Sequence, residues 1–370
     1  MNLRLVLVAV GVACMLTACG KDPASSHDDD DDGGDGTASH VPDSITQLTN
    51  GGLNNELPFV SDSCVVWMGA RDIHYSRNGR LDTALTSTPN SIEFYSRPSG
   101  YRVAWSAGGD VYMYNGSSLT QVTTSSATTD KSPSVSGATL AWESWSGARP
   151  HRILVQTGAS AVQAVSDTTF YNSGVKVSGT NVVWSGYLAD TTASDPTAMN
   201  PPAYPEIYFW NGSSTRRLTS DGRAKTPPDI SGDSVVWSAG GDIYLFDGDT
   251  VTQLTSGADS DTLPVISQGN VAWLVRAGTT CNINYKAAGG TITAVTTSGT
   301  VGVAWGVRIS GRHLAWVAGA PTQVFFYDAE TQVTTQVTTD DADHYAVDIS
   351  GSRLVWIGGV EVYMAEPSAP

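Results

Sequence analysis

Short runs of alternating apolar and polar residues, fenced by Gly, Ser, Asp and Asn, fill most of the chain. The clearest unit spans Pro228 to Thr255. It contains an Asp229-Ile230-Ser231 run, a Val235-Val236-Trp237 run, an Ile243-Tyr244-Leu245-Phe246 run and a Thr252-Gln253-Leu254-Thr255 run, with Ser231-Gly232 and Asp247-Gly248 among the separators. Alternation of β-branched and aromatic residues predicts strands, and the Ser-Gly and Asp-Gly pairs supply the positive φ angles that tight hairpins need. Four such strands make one antiparallel sheet.

The Val-Val-Trp run or a close variant recurs at Trp67, Trp105, Trp142, Trp184, Trp237, Trp273, Trp316 and Trp356, with gaps of 38, 37, 42, 53, 36, 43 and 40 residues. A period near forty, with four strands per repeat, is the signature of propeller blades. The expected fold is therefore all-β, an eight-bladed β-propeller. Seven blades is the alternative, should the weaker repeat at Trp142 or Trp273 fall short of a full blade. After Trp356 only Val360 to Met364 can form a further strand, whereas Ser44 to Thr49 matches the Thr-Gln-Leu-Thr strand that the last repeat lacks. The N-terminal strand is thus expected to close the ring and remove its open edges. Tryptophan at a fixed place in every repeat reads as packing between blades.

The string Ser-Gly-x-x-Val-Val-Trp, then Asp-Ile-Tyr-Leu-Phe-Asp-Gly, then Thr-Gln-Leu-Thr resembles the propeller repeats of microbial cell-surface and surface-layer proteins, and more distantly TolB-type propellers. The resemblance covers residues 45–370. It implies a fold and little about activity, because the recurring residues of such repeats are structural.

At the N-terminus the pattern changes. Arg4 precedes an apolar run from Leu5 to Leu16 and the tetrapeptide Leu16-Thr17-Ala18-Cys19, so residues 1–18 read as a cleaved export signal. The tetrapeptide resembles the bacterial lipobox, which implies that Cys19 is lipidated and holds the protein to a membrane. The alternative is an ordinary signal with an incidental cysteine. Gly20 and Lys21 follow instead of an acidic residue; by resemblance to bacterial sorting signals this implies the outer membrane or cell surface. Residues 19–44, with Asp28 to Asp32 and few apolar side chains, are expected to form a flexible tether, since such a segment cannot bury enough surface to offset its ordering entropy.

Acids outnumber bases 36 to 20 for a net charge of −16, and charged residues are only 15% of the chain. An acidic body argues against nucleic acid as a partner. Cys64 and Cys281, the cysteines beyond the leader, fall in repeats three blades apart, so burial as small apolar groups is expected over a disulfide.

Motifs for catalysis are missing: the sequence has no Gly-x-Ser-x-Gly, no His-Glu-x-x-His and no phosphate-binding loop. No metal or cofactor is expected. His74 stands where other repeats have tyrosine and reads as packing. Asp72, Asp110, Glu206, Asp242 and Glu361 recur at the start of the third strand, which suits a turn contact within each blade better than one active site.

Departures from the repeat carry more functional information. Between the second and third strands, blade 4 inserts Tyr187 to Pro205, and blade 3 carries Glu143 to Arg152. These neighbouring loops hold Trp145, Arg149, His151, Arg152, Tyr187, Asp190, Asp195 and Tyr204, residue types of sugar- and peptide-binding surfaces. A variable loop without a ligand is the competing reading. A second variable set lies two residues before the Ser-Gly turn, on the strand facing the central channel. It includes Arg97, Lys176, Asp229, Arg308 and Asp348, which suit either a polar ligand or solvated ion pairs. The leading expectation is a monomeric, lipid-anchored envelope protein that binds a protein or glycan partner without catalysis. A hydrolase or lyase acting on extracellular polysaccharide is the alternative.

Overall fold

A computed structural model describes residues 45–51, 55–62, 64–77, 80–81, 84–87, 94–95, 98–146, 151–166, 170–188, 204–278, 280–297 and 306–367. The export signal, Cys19, the tether, Arg97, Arg149, Asp190 and Asp195 lie outside the described residues.

Among the described residues, thirty-two strands form eight antiparallel sheets of four strands each. Seven sheets follow chain order. In the eighth, Ile45–Gln47 pairs with Glu361–Ala365, which pairs with Arg353–Gly358 and then His344–Ser350. Ile45 lies opposite Ala365 and Gln47 opposite Tyr363, so the N-terminal strand completes the last blade. The sheets around Trp142 and Trp273 both have four strands, which excludes the seven-bladed alternative.

Thr49 shows why this strand belongs where it does. Its hydroxyl accepts the Val362 amide hydrogen at 2.9 Å and donates to the Glu361 carboxylate. Thr123, Thr219 and Thr255 accept the equivalent amides of Val111, Ile207 and Ile243, each at 2.9 Å. Thr123 also donates to Asp110, and Thr219 to Glu206. The recurring acids therefore anchor the fourth strand of their own blade.

All eight repeat tryptophans are at most 2% exposed. In six blades the indole stacks on the ring opposite it in the third strand, as in Trp105–Tyr112 at 5.9 Å and Trp67–His74 at 5.6 Å. In the other two the opposite residues are Leu154 and Asn284, which offer no ring. Truncating a buried aromatic of this kind to alanine costs about 3–5 kcal/mol.

Blades are not β-paired to one another; single backbone bonds such as Asp261 N–H to Gly241 O cross some seams, and side chains satisfy further backbone groups there. The serine that ends the innermost strand does this. Ser178 Oγ accepts the Gly232 amide hydrogen of the next blade at 2.8 Å; Ser267 does the same for Gly311, and Ser310 for Gly351. The carbonyl of the same turn residue is met by the side chain three positions after the serine: Asn181 donates to Gly232 O at 3.0 Å and Asn270 to Gly311 O at 3.1 Å. Gly232 and Gly311 have φ of 60° and 58°, a conformation that glycine adopts without a Cβ clash. Cys64 occupies the same place in blade 1, its thiol donating to Gly100 O at 3.2 Å. Cys64 and Cys281 are both free thiols.

Candidate functional site

Among the described residues, five innermost strands contain a bulge whose extra residue has positive φ, at Leu57, Ser132, Gly174, Leu263 and Ala346. Each stands ten residues before its blade's tryptophan. In blades 3 and 4 the first two strands continue past the bulge, as Thr129–Ser136 with Thr139–Trp145 and Phe170–Ser178 with Asn181–Leu188. What the sequence suggested as a loop in blade 3 is thus largely ladder: Lys131 opposes Glu143, Trp145 opposes His151, and in blade 4 Tyr171 opposes Tyr187.

These side chains meet at the seam between the two blades. Trp145 stacks on His151 at 3.8 Å, His151 lies 3.7 Å from Tyr171, and Tyr187 meets Tyr171 edge-on at 6.3 Å. The Lys131 ammonium lies 3.5 Å from the centre of the Trp145 ring, a cation–π contact. Below them Asn172 donates to His151 O at 2.9 Å and accepts the Trp184 indole N–H at 3.0 Å, tying the cluster to the buried tryptophan of blade 4. Asp261 holds Trp273 in the same way in blade 6, again from twelve residues upstream.

Burial dominates the electrostatics. It pushes the Glu143 carboxyl up to about 7, although the Gly174 amide hydrogen, donated at 2.9 Å, and the Lys131 charge both favour the anion. Burial, then the Lys131 charge, hold the His151 imidazole down to about 4, so it is neutral at physiological pH. Burial also lowers Lys131 and raises the phenols of Tyr171 and Tyr187. His151 Nδ1 and Trp145 Nε1 are buried without a hydrogen-bond partner among the described residues.

Of the residues singled out from sequence, Trp145, His151 and Tyr187 are brought together. Arg152 is exposed and opposes Ser144, which alternation places on the other face of the sheet. Tyr204 stands apart at the end of the blade 4 insertion, 45% exposed. Lys131, Glu143 and Tyr171 were not anticipated as a group. The described residues contain no cluster of His, Cys, Asp and Glu arranged to hold a metal ion.

The central channel encloses a cavity of about 620 Å³ whose lining includes Lys176, Asp229 and Arg308. Lys176 pairs with Asp229 at 2.9 Å. The other oxygen of Asp229 accepts the Ile266 amide hydrogen of the next blade at 2.9 Å. Asp348 is buried outside the cavity lining, and its Oδ2 accepts the Val60 amide hydrogen. Ser134 likewise accepts from Val177 at 3.2 Å. Ser134, Asp229 and Asp348 thus add a second tier of blade-to-blade hydrogen bonds at this position, and both carboxylates are already engaged.

No protein-family model and no curated protein matches the sequence. Solved structures do match. The β-propeller domain of the Trilobed protease from Pyrococcus furiosus, described as having an open velcro topology, aligns with a TM-score of 0.51 at 12% identity, over 78% of this chain and 97% of that one. A prolyl endopeptidase aligns with a TM-score of 0.57 at 10% identity, over 82% and 54% of the two chains. Pyrococcus horikoshii acylaminoacyl peptidase aligns with a TM-score of 0.52 at 12% identity, over 82% and 57%. The chain spans about half the length of these last two enzymes. At such identities the likeness shows the fold alone. In this chain the ring is closed by Ile45–Gln47, unlike the open velcro described for the Pyrococcus furiosus domain.

Proposed function

We propose that the protein is a cell-envelope binding module, anchored through lipid on Cys19 at the outer membrane or cell surface, which engages a glycan at the raised rim of blades 3 and 4. The observation that carries this reading is the run Lys131–Trp145–His151–Tyr171–Tyr187 across one seam. Half-exposed aromatic rings give a sugar's apolar face something to pack on, and a rigid ladder under them limits the entropy lost on binding. Lipidation rests on the Leu16-Thr17-Ala18-Cys19 tetrapeptide.

Glu143 favours the alternative of a polysaccharide hydrolase or lyase, because a carboxyl titrating near 7 suits proton transfer. Against it, Glu143 is 5% exposed and bound to the Gly174 amide, and His151 is stacked on Trp145 and packed at a tilt against Tyr171, with its imidazole neutral. Calorimetric titration with envelope glycans tests the binding reading. Trp145→Ala should weaken binding at least tenfold, and equal affinities for variant and wild type would remove the rim from the proposal. Release of new reducing ends or unsaturated sugars by the wild type would favour the enzyme. Metabolic labelling with a lipid precursor, lost in Cys19→Ala, tests the anchor.

A further inference from the structure

Among the described residues, several cations are held in ion pairs. Lys176 pairs with Asp229, Lys225 with Asp221 and Glu206, Arg312 with Asp328, and Arg353 with Glu366. Lys131 differs. It is half-buried, it rests on the Trp145 ring, and among the described residues its ammonium makes no hydrogen bond and no ion pair. Glu143 opposes it on the ladder and acts on it only through the field. An ammonium presents three N–H donors, and a ring face accepts none of them as well as an oxygen would.

The surroundings of Lys131 have a chemical character of their own. The Trp145 indole N–H is buried without an acceptor, and His151, 6% exposed, carries an Nδ1 without a partner. The Tyr171 and Tyr187 side chains, both half-buried, make no hydrogen bond among the described residues. One seam thus gathers an unpaired cation, unused polar groups and aromatic rings, in a chain carrying sixteen more acids than bases.

We infer that this seam recognises a carboxylate-bearing sugar, with the acid group on the Lys131 ammonium and the ring packed along the Trp145–Tyr171–Tyr187 edge. The inference rests on the glycan-binding reading above and narrows it to a uronate-type ligand. A carboxylate gives Lys131 the oxygen acceptor it lacks and draws the ammonium off the indole, which exposes the Trp145 face to the sugar. An acidic peptide would satisfy the ammonium equally well; the ring edge, with its phenol hydroxyls, favours a flat ligand carrying both C–H faces and hydroxyls.

The test is a calorimetric titration of the full chain with alginate oligosaccharides, a neutral cello-oligosaccharide and oligoglutamate, at two salt concentrations. The wild type should prefer alginate by tenfold or more over either comparator, with affinity falling as salt rises. Lys131→Met should remove that preference and its salt dependence while leaving the melting temperature in place. If Lys131→Met does not fold, Lys131→Gln, which keeps a polar end, replaces it with the same expectation. Equal affinity for alginate and the cello-oligosaccharide, unchanged in the Lys131 variant, overturns the acidic-sugar assignment and leaves the glycan reading standing. Oligoglutamate binding as tightly as alginate overturns the sugar in favour of an acidic peptide. A wild type that binds no sugar overturns both this inference and the reading beneath it.

Discussion

Asp348 Oδ2 accepts the Val60 amide hydrogen at 3.0 Å, across the seam where the last blade meets the first. Asp348 is 1% exposed, so water is a poor substitute. Asp348→Ala leaves a buried donor without this acceptor and should lower stability by about 1–3 kcal/mol. Urea denaturation followed by tryptophan fluorescence reads the change, and an unmoved midpoint would refute a stabilising role.

The serine staples should act independently. Ser178→Ala and Ser267→Ala each remove one acceptor from a turn amide, at seams with two whole blades between them. Each should cost about 1 kcal/mol, and the double variant about 2 kcal/mol, since separate sites add. A double variant no less stable than either single one would show that the turn amides find other partners.

Glu143 predicts a pH signature. Its carboxyl is pushed up to about 7 in the folded protein, from an ordinary value of 4.5. The folded state thus binds more protons than the unfolded state between these limits, and the stability from this group, full below about 4.5, is lost as pH rises through about 7. The shift corresponds to an effect on the order of 3 kcal/mol. Glu143→Gln removes it, so the variant should gain on the wild type between pH 5 and pH 8 in denaturation experiments. Lys131 and Tyr171 are the charged and titratable groups that interact with Glu143. The His151 imidazole, held down to about 4, works in the opposite direction below 6.5, but it is present in both proteins and cancels in the comparison. A pH-independent difference would mean that Glu143 titrates normally.

The two thiols should differ in reactivity. Cys64 is buried, donates to Gly100 O, and has its thiolate disfavoured by burial. Cys281 is half-buried, and Arg276 favours its thiolate against the effect of burial. Iodoacetamide should modify Cys281 first, with Cys64 labelled only as the seam between blades 1 and 2 opens. Peptide mass mapping over time distinguishes them; equal rates would contradict the buried donor.

The blades and their closure are readable from sequence because both rest on local pattern: alternation within strands, turn residues between them, and the Thr46-Gln47-Leu48-Thr49 fragment displaced to the other end. The seams are not readable that way. Ser231 looks like an ordinary hairpin residue, and only the neighbouring blade reveals its hydroxyl as the acceptor for the Gln268 amide hydrogen. Asp229, taken from sequence as a channel charge, lines the channel and also caps a backbone group of the next blade. At the rim, Trp145, His151 and Tyr187 stand out as departures from the repeat. Lys131 and Tyr171 do not, because they precede bulges whose extra residue shifts the ladder and disguises which face they occupy. The polar residue twelve positions before each of Trp67, Trp142, Trp184 and Trp273, namely Asn55, Asp130, Asn172 and Asp261, was a signal within reach.

Closure by Ile45–Gln47 also sets a compass bearing. The chain joins the disc at the circumference of blade 8, whereas the Lys131–Tyr187 cluster lies between blades 3 and 4, close to half a turn away. A partner seated on that cluster therefore lies across the ring from the strand that closes it, and it binds without touching the pairing on which closure depends.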